Sequence, residues 1–286
     1  DENGNITDRR AGRIPTEKTA ELIDKMGAFR FGDVEVELRP VKDYRACAVF
    51  RGPGLGDKVN DTDSQQTEVP PLAAEATETG SEKTAEIANE FAAEVNKRLE
   101  GEAPANTCLL RGFASLPEIP PMKDRFGLDS VCMAVYPDYK GVSRLLGMDV
   151  VEDLHDLSEQ IEALASNWDS HTFFFMHHKY TDSTGEDGDF DAKVDQIEKV
   201  DRVIPDLLDL KPDVLLVTGD HSTPSKMTTH SYHPVPFLLF AEDQRQDWVA
   251  QFGERECARG MYPNLPGVKL MNLALASADK LKKYGA

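Results

Sequence analysis

The sequence predicts an α/β fold in which a mostly parallel sheet is flanked by helices and is preceded by a smaller α+β region. Two observations predict this fold. After residue 122, continuous apolar segments of strand length alternate with amphipathic helical patterns, which is typical of a parallel sheet covered on both faces. Before residue 113, short alternating strands accompany one amphipathic helix. With 286 residues the chain can form one large or two medium domains.

The amino-terminal region shows the patterns of short strands and one helix. Val34 to Leu38 alternates apolar and polar residues, and Cys47 to Arg51 does so more loosely, so both are predicted strands with one solvated face. The polar stretch from Gly52 to Gly80 is predicted to be a long, partly mobile loop. A helix capped by Ser81 and ending near Gly101 follows, because apolar residues recur every four positions: Ile87, Phe91, Val95 and Leu99.

Thr107 to Phe113 is a further predicted strand, and the proline-rich link from Leu116 to Met122 marks the neighbourhood of a domain boundary. We therefore predict two domains, residues 1–112 and 113–286. The elements predicted in the second domain are strand 130–135, a helix through 143–146, strand 172–176, helix 197–208, strand 214–217 and strand 236–240. Apolar strands between amphipathic helices indicate a mostly parallel sheet.

The composition excludes two classes of partner. The formal net charge is −19 at pH 7, whereas nucleic acid and anionic membranes attract a basic face. No apolar run reaches the length of about 18 residues that a membrane helix needs.

The four cysteines lack C-x-x-C spacing, which suits reduced thiols: Cys47, Cys108, Cys132 and Cys257. We predict a cytoplasmic protein that binds a small molecule, and its oligomeric state stays open.

Carboxylates concentrate after one predicted strand of the second domain. Asp182 follows strand 172–176 by a short turn, and Glu186 comes four residues later in what we predict to be a glycine-containing loop. A cluster of this kind is costly unless it is solvated or bound to a cation. Both interpretations stay open on this segment alone.

Two histidines and another carboxylate follow the next strand. Asp220 and His221 come directly after the apolar strand 214–217, where an adjacent Asp and His can face one divalent metal. His230 precedes a proline-rich strand entry, although a single histidine is more often a surface or core residue. The carboxyl ends of parallel strands meet at one edge of a sheet. We therefore expect Asp220, His221 and His230 to lie close to Asp182 and Glu186. Together they supply most of the ligands for two ions of the kind that clamp the oxygens in phosphoryl transfer.

Basic side chains can offset the negative charge of the protein for an anionic substrate. Lys140 lies between a predicted strand and a helix, where an ammonium can meet a phosphate; an exposed turn lysine is the alternative. Arginine binds carboxylate and phosphate through paired hydrogen bonds. Six arginines of the amino-terminal region lie near glycines or strand ends, where each could also be a surface ion-pair residue: Arg9, Arg10, Arg13, Arg45, Arg51 and Arg111.

Taken in order, these segments resemble the archaeal-type 2,3-bisphosphoglycerate-independent phosphoglycerate mutases of the alkaline phosphatase superfamily. The matching runs cover nearly the whole chain: Asp8 to Arg13, Phe50 to Gly52, Asp61 to Asp63, Glu82 to Glu86, Leu109 to Gly112, Tyr139 to Gly141, Arg144 to Met148, Thr181 with Asp182, Gly185 to Phe190, Gly219 to Pro224, and Pro234 to Pro236. The resemblance implies an alkaline-phosphatase-like core, residues 113–286, and a smaller inserted substrate-binding lid, residues 1–112.

The resemblance further implies an isomerase that interconverts 3-phosphoglycerate and 2-phosphoglycerate through a phosphoserine. It implies two divalent ions, Mn²⁺ first, with Mg²⁺, Zn²⁺ or Co²⁺ as alternatives. The implied ligands form one set for each ion: Asp182, Glu186 and His230 for the first, Asp220 and His221 for the second. Lys140 would contact the transferring phosphoryl group. The substrate's carboxylate and phosphate would be held by the arginines of the lid: Arg10, Arg13, Arg45, Arg51 and Arg111.

The sequence departs from the family's pattern in four respects. Glu186 stands where family members have histidine, and glutamate ligates Mn²⁺ or Mg²⁺ with more charge and less preference for zinc-like ions. Ala46 follows Arg45 where a histidine is frequent, and Ser64 with Gln65 replaces a Pro-His pair. The family's first strands carry another metal-binding aspartate and the nucleophilic serine. We place these upstream of residue 1 and expect the isolated chain not to turn over substrate.

Two alternatives remain open. The departures near Arg45 and Asp63 leave room for another phosphotransferase on the same scaffold, such as a homoserine kinase. The absent nucleophile and Glu186 suit a degenerate, non-catalytic metal-binding subunit. ATP-dependent phosphorylation of homoserine would identify the first alternative. Failure of the complete reading frame to bind two divalent ions would favour the second.

Overall fold

The computed structural model describes residues 1–262 and 264–281. The chain divides into two compact units, Asp1–Glu118 and Ile119–Ala286. The division falls inside the proline-rich link, at residue 118 rather than at the predicted 112. None of the helices within the described ranges is long and apolar enough to cross a membrane.

The first unit is a three-stranded antiparallel sheet with two helices. Its elements are a 3₁₀ turn at Ala11–Arg13, α1 (Thr16–Met26), β1 (Phe29–Phe31), β2 (Val34–Lys42), β3 (Arg45–Arg51) and α2 (Glu82–Arg98). The strand order is β1-β2-β3, with Val36 opposite Phe50. The four-residue period of α2 buries Ile87, Phe91, Val95 and Leu99, as predicted. Phe91 meets Phe29 of β1 edge to face, with ring centroids 4.9 Å apart, so the helix closes the core against the sheet.

Two predictions for this unit were wrong. Thr107 to Phe113 is not a strand, because its backbone forms hydrogen bonds with residues of a loop instead of with a neighbouring strand. The Leu110 N–H donates to the Thr62 hydroxyl, and the Gly112 N–H donates to Asp61. Ser81 makes no side-chain cap for α2, because its hydroxyl is engaged by the backbone N–H of Lys58. The polar stretch 52–80 contains neither helix nor strand, as predicted.

The second unit carries the sheet that positions the candidate site. Its elements are α3 (Met122–Phe126), β4 (Ser130–Ala134), α4 (Pro137–Leu145), β5 (Asp149–Val150), α5 (Leu157–Asn167), β6 (Phe173–His177), α6 (Tyr180–Glu186), α7 (Phe190–Asp209), β7 (Val214–Thr218), β8 (Phe237–Ala241), α8 (Glu254–Cys257), a 3₁₀ turn at Gly267–Lys269 and α9 (Leu270–Ser277). Strands β5, β4 and β6 pair in parallel in that order, and β4 is buried along its whole length.

The strands of the second unit do not all belong to one parallel sheet, which would be the simplest form of the prediction. Strands β7 and β8 form a separate antiparallel pair, with Leu216 opposite Leu239. The apolar residues of β7 are only half-buried, and α7 has no buried residue, with Ile197 and Leu208 exposed. Within the described residues, the parallel pairing therefore belongs to β4, β5 and β6. All four cysteines are free thiols.

Candidate metal centre

The site begins at the carboxyl end of β6, where the predicted acidic loop is in fact a helix. Tyr180–Glu186 forms α6, so Asp182 and Glu186 lie four residues apart on one helical face. The glycine and aspartate residues that suggested a loop make specific contacts instead. Gly185 lies against the loop after β7, and Asp189 caps α7 by accepting the backbone N–H of Ala192.

Asp182 is the centre of the cluster. Its side chain is 12% exposed and accepts hydrogen bonds from the Lys179 ammonium and the Thr223 hydroxyl. Burial alone would raise the pKa of Asp182, but these hydrogen bonds outweigh it and the pKa lies below its ordinary value. Asp182 is therefore an anion at neutral pH, as a metal ligand must be.

Two histidines converge on this carboxylate. Nδ1 of His221 lies 3.7 Å from Asp182 Oδ1, and Nε2 of His230 lies 3.5 Å from the same oxygen. The two imidazole rings are 3.9 Å apart between centroids. One ligand atom from each of the three residues lies within 4.8 Å of the others. A carboxylate oxygen and two imidazole nitrogens at this spacing fit one divalent ion.

The two remaining predicted ligands extend the cluster on either side. Glu186 Oε1 lies 3.7 Å from His230 Nε2, at a rim where both side chains are about half exposed. Asp220 Oδ2 lies 3.7 Å from His221 Nε2. The five side chains therefore form a continuous series of neighbours in the order Glu186, His230, Asp182, His221, Asp220.

Asp220 is held by a residue that the sequence analysis missed. The Tyr139 hydroxyl of α4 donates to Asp220 Oδ2 at 2.5 Å. Burial would raise the pKa of Asp220, but the Tyr139 hydrogen bond and the neighbouring His221 lower it. Burial and the bond to Asp220 together raise the pKa of Tyr139, so the phenol keeps its proton and acts as a donor.

His177, the last residue of β6, was also missed. Its ring stacks on Tyr139 with centroids 3.4 Å apart. Burial lowers the pKa of His177 to about 4, so the ring is neutral at physiological pH. Its buried Nδ1 has no hydrogen-bond partner among the residues that the structure describes. Both residues lie at or just beyond the carboxyl ends of β4 and β6, and that position was the signal that could have identified them.

Lys140 is placed beside a carboxylate rather than beside a candidate metal ligand. Its ammonium lies 3.4 Å from Glu152, and its side chain is 13% exposed. Arg144, one helical turn further along α4, also pairs with Glu152. Lys140 and Arg144 therefore form a cluster with the carboxylate of Glu152 beside α4.

The arginines of the first unit are dispersed, and the one that forms two hydrogen bonds with a buried carboxylate was not in the predicted substrate set. Arg9 forms two hydrogen bonds with the buried Asp63, at 2.8 and 2.5 Å. Arg111 lies 3.5 Å from the same carboxylate. The other predicted arginines have separate neighbours: Arg51 pairs with Glu37, Arg45 lies over the ring of Tyr44, and Arg10 and Arg13 belong to the 8–13 turn that Asp8 closes.

The fold and the site define a class of protein, the metalloenzymes. Residues 52–277 match the Metalloenzyme superfamily. Within it, the chain belongs to the 2,3-bisphosphoglycerate-independent phosphoglycerate mutase family, whose members are isomerases. It is 44% identical to a probable mutase of this type from Thermus thermophilus, covering 100% of this chain and 72% of that protein. A probable mutase from Thermotoga neapolitana is 42% identical, covering 99% of this chain and 72% of that protein.

Solved structures agree with this assignment. The cofactor-independent phosphoglycerate mutase of Thermoplasma acidophilum matches 96% of this chain and 74% of its own, with a TM-score of 0.68 and 26% identity. A Pyrococcus horikoshii protein shares the fold, with a TM-score of 0.77 and 24% identity over 98% of this chain and 74% of its own. The family and the fold class that the sequence predicts are confirmed.

Proposed function

We propose that this chain forms the metal-binding and substrate-binding part of a phosphoglycerate mutase that interconverts 3-phosphoglycerate and 2-phosphoglycerate without bisphosphoglycerate. The observation that carries the proposal is the convergence of Asp182, His221 and His230 in a chain of this family. The two predicted domains have the roles that the family resemblance implies. Residues 1–112 bind the substrate, residues 113–286 form the metal-bearing core, and the protein works in the cytoplasm.

The order of neighbours supports two ligand sets that meet at Asp182. His230 lies close to Asp182 and to Glu186, and His221 lies close to Asp182 and to Asp220.

Bound divalent ions would supply positive charge that stabilises a phosphoryl group and its attacking and leaving oxygens during transfer. Oxygen and imidazole ligands together suit Mn²⁺, and Glu186 in place of an imidazole shifts the preference towards harder ions. Lys140 would bind the phosphoryl group as a point charge. The predicted arginines would bind the substrate's carboxylate and phosphate, which also offsets the net charge of −19.

The proposal includes transfer through a phosphoserine, which the family resemblance assigns to the family's first strands; the chain spans 72% of the length of its Thermus thermophilus relative. Covalent transfer and return would divide one difficult displacement into two steps. The isolated chain is therefore expected to bind metal ions without turning over phosphoglycerate.

An enolase-coupled assay of the complete reading frame tests the proposal, with 3-phosphoglycerate and Mn²⁺ present and bisphosphoglycerate absent. The expected result is conversion that stops with chelator and returns with added Mn²⁺. A protein that binds two ions but gives no conversion would contradict the proposed substrate. Homoserine with ATP would then be the next substrate to test, because Ala46 and Ser64 depart from the family pattern. A protein that binds no ions would contradict the proposed metal centre.

A further inference from the structure

Lys193 connects the two segments that carry the candidate ligands. It lies in the first turn of α7, and its ammonium donates to two backbone carbonyls, that of Thr181 at 2.9 Å and that of Thr223 at 2.8 Å. Thr181 directly precedes Asp182 on α6, and Thr223 follows His221 by two positions. One side chain therefore bridges the helix that carries Asp182 and the loop that carries His221.

The bridge lies where the helix and the loop are closely packed. Gly185 of α6 is buried against the Thr223 carbonyl, and a Cβ at this position would lie 2.3 Å from that oxygen and 3.0 Å from the Lys193 ammonium. The absence of a side chain at Gly185 is what lets the carbonyl approach α6 and reach Lys193. The separation of the two segments is thus set by a contact with no spare room.

Thr223 transmits this separation to the ligands. Its side-chain hydroxyl donates to Asp182 and lies 3.1 Å from Nδ1 of His221, while its backbone carbonyl accepts from Lys193. If the carbonyl moves, the hydroxyl moves with it. A displacement at Lys193 would therefore change both the orientation of Asp182 and the position of His221.

The environment of Lys193 indicates a dedicated role rather than a surface ion pair. Burial lowers the pKa of its ammonium, while the charges of Asp182 and Glu254 act in the opposite direction. Among the residues that the structure describes, no carboxylate forms a salt bridge with Lys193. Partial burial of an ammonium is costly, and the two carbonyl hydrogen bonds offset that cost at Lys193.

We propose that Lys193 is a positioning residue for the metal centre, which holds α6 and the 219–225 loop at the separation that brings Asp182 and His221 together in that centre. This inference rests on the proposed metal centre. It assigns Lys193 no contact with substrate or metal. It acts in the metal-free chain as well, because both of its carbonyl partners belong to the backbone.

The test compares Lys193→Met with Lys199→Met, an exposed lysine on the same helix. Mn²⁺ binding to the 286-residue chain is measured by titration calorimetry, and global stability by urea unfolding. We expect Lys193→Met to bind Mn²⁺ roughly 10- to 100-fold more weakly, the usual effect of losing a group that supports metal ligands, with Lys199→Met unchanged. Lys193→Gln serves as a milder replacement if the methionine variant does not fold.

A purely structural role would lower the urea midpoint and leave Mn²⁺ affinity intact under native conditions, and that outcome would overturn the inference. Hydrogen exchange of the metal-free proteins separates this inference from the proposed function. Faster exchange in 180–186 and 219–225 in Lys193→Met than in Lys199→Met supports the bridge even if the wild-type chain binds no Mn²⁺. Equal exchange in both variants refutes it.

Discussion

The Tyr139 hydroxyl lies 2.5 Å from Oδ2 of Asp220, and this hydrogen bond joins α4 to the loop after β7. The two residues are 81 positions apart in the sequence. The ring of His177 stacks on that of Tyr139, with centroids 3.4 Å apart. The outermost candidate ligand on this side of the site is therefore oriented by a residue from another strand-helix pair.

Replacing Tyr139 with phenylalanine is expected to weaken Mn²⁺ binding by about tenfold, because Asp220 loses the hydrogen bond that orients it while the ring is retained. Calorimetric titration of the metal-free chain measures the effect. Tyr232→Phe is the matched control, since Tyr232 is 89% exposed. Equal affinities in the two variants would show that Asp220 needs no support from Tyr139.

Divalent metal should stabilise the second unit. An ion at about 100 times its dissociation constant stabilises a folded protein by about 2.7 kcal/mol if the unfolded chain does not bind it. We expect Mn²⁺ to raise the thermal midpoint of the wild-type chain, and chelator to reverse the change. The shift should be smaller in His221→Ala and unchanged in His155→Ala, whose side chain is 76% exposed. A shift in His221→Ala as large as that of the wild type would remove this histidine from the metal centre.

Gly185→Ala should destabilise the second unit. A Cβ 2.3 Å from the Thr223 carbonyl forces the helix and the loop apart, and overpacking of this kind costs about 1–3 kcal/mol. Alanine recovers about 1 kcal/mol of helix propensity, so the net effect remains destabilising. Urea unfolding measures it, with Gly267→Ala as the control, because a Cβ there meets nothing within 4 Å. If Gly185→Ala is as stable as the control, the close contact with Thr223 does not exist in solution.

The ion pair of Arg9 and Asp63 predicts the acid sensitivity of the first unit. The hydrogen bond from Arg9 holds the pKa of the buried Asp63 below its ordinary value. The unfolded carboxyl titrates at about pH 3.9, so the pair contributes stability above that pH. The contribution is lost as the pH falls through the lower folded value. Asp63→Asn should cost about 2 kcal/mol near neutral pH and should remove this part of the acid transition.

Urea unfolding at a series of pH values checks this prediction. The control is Asp33→Asn, since the pair between Asp33 and Lys83 is exposed on both sides and such pairs contribute little. An acid transition that is the same in Asp63→Asn and in the wild type would assign the acid sensitivity to other carboxylates.

Periodicity and strand ends predicted much of the architecture. The spacing of Ile87, Phe91, Val95 and Leu99 defined α2, because a four-residue apolar period buries one face of a helix. The apolar runs after residue 122 located β4, β6, β7 and β8 to within a residue or two. The order of Asp182, Glu186, Asp220, His221 and His230 after two strand ends was enough to predict that they meet.

Other features depended on partners distant in sequence. Thr107 to Phe113 has a strand-like composition, but its backbone groups bind Thr62 and Asp61, about 50 positions earlier. The turn residues around Gly185 suggested a loop because a sequence pattern does not show that the glycine is needed for contact with Thr223. Local sequence rules consider only the backbone conformation that a glycine allows. At Gly185 the important property is the lack of a side chain, which leaves room for the Thr223 carbonyl.

The sequence by itself determined which residue types follow the strands and therefore that a metal centre is expected at this edge of the core. Only the tertiary structure decided the order of neighbours within that centre and the side chains that support it, Tyr139, Thr223 and Lys193. The physical reason is that ligand types follow from local chemistry. Distances between segments follow from the packing of α6 and α7 against the loop after β7, which no local pattern contains.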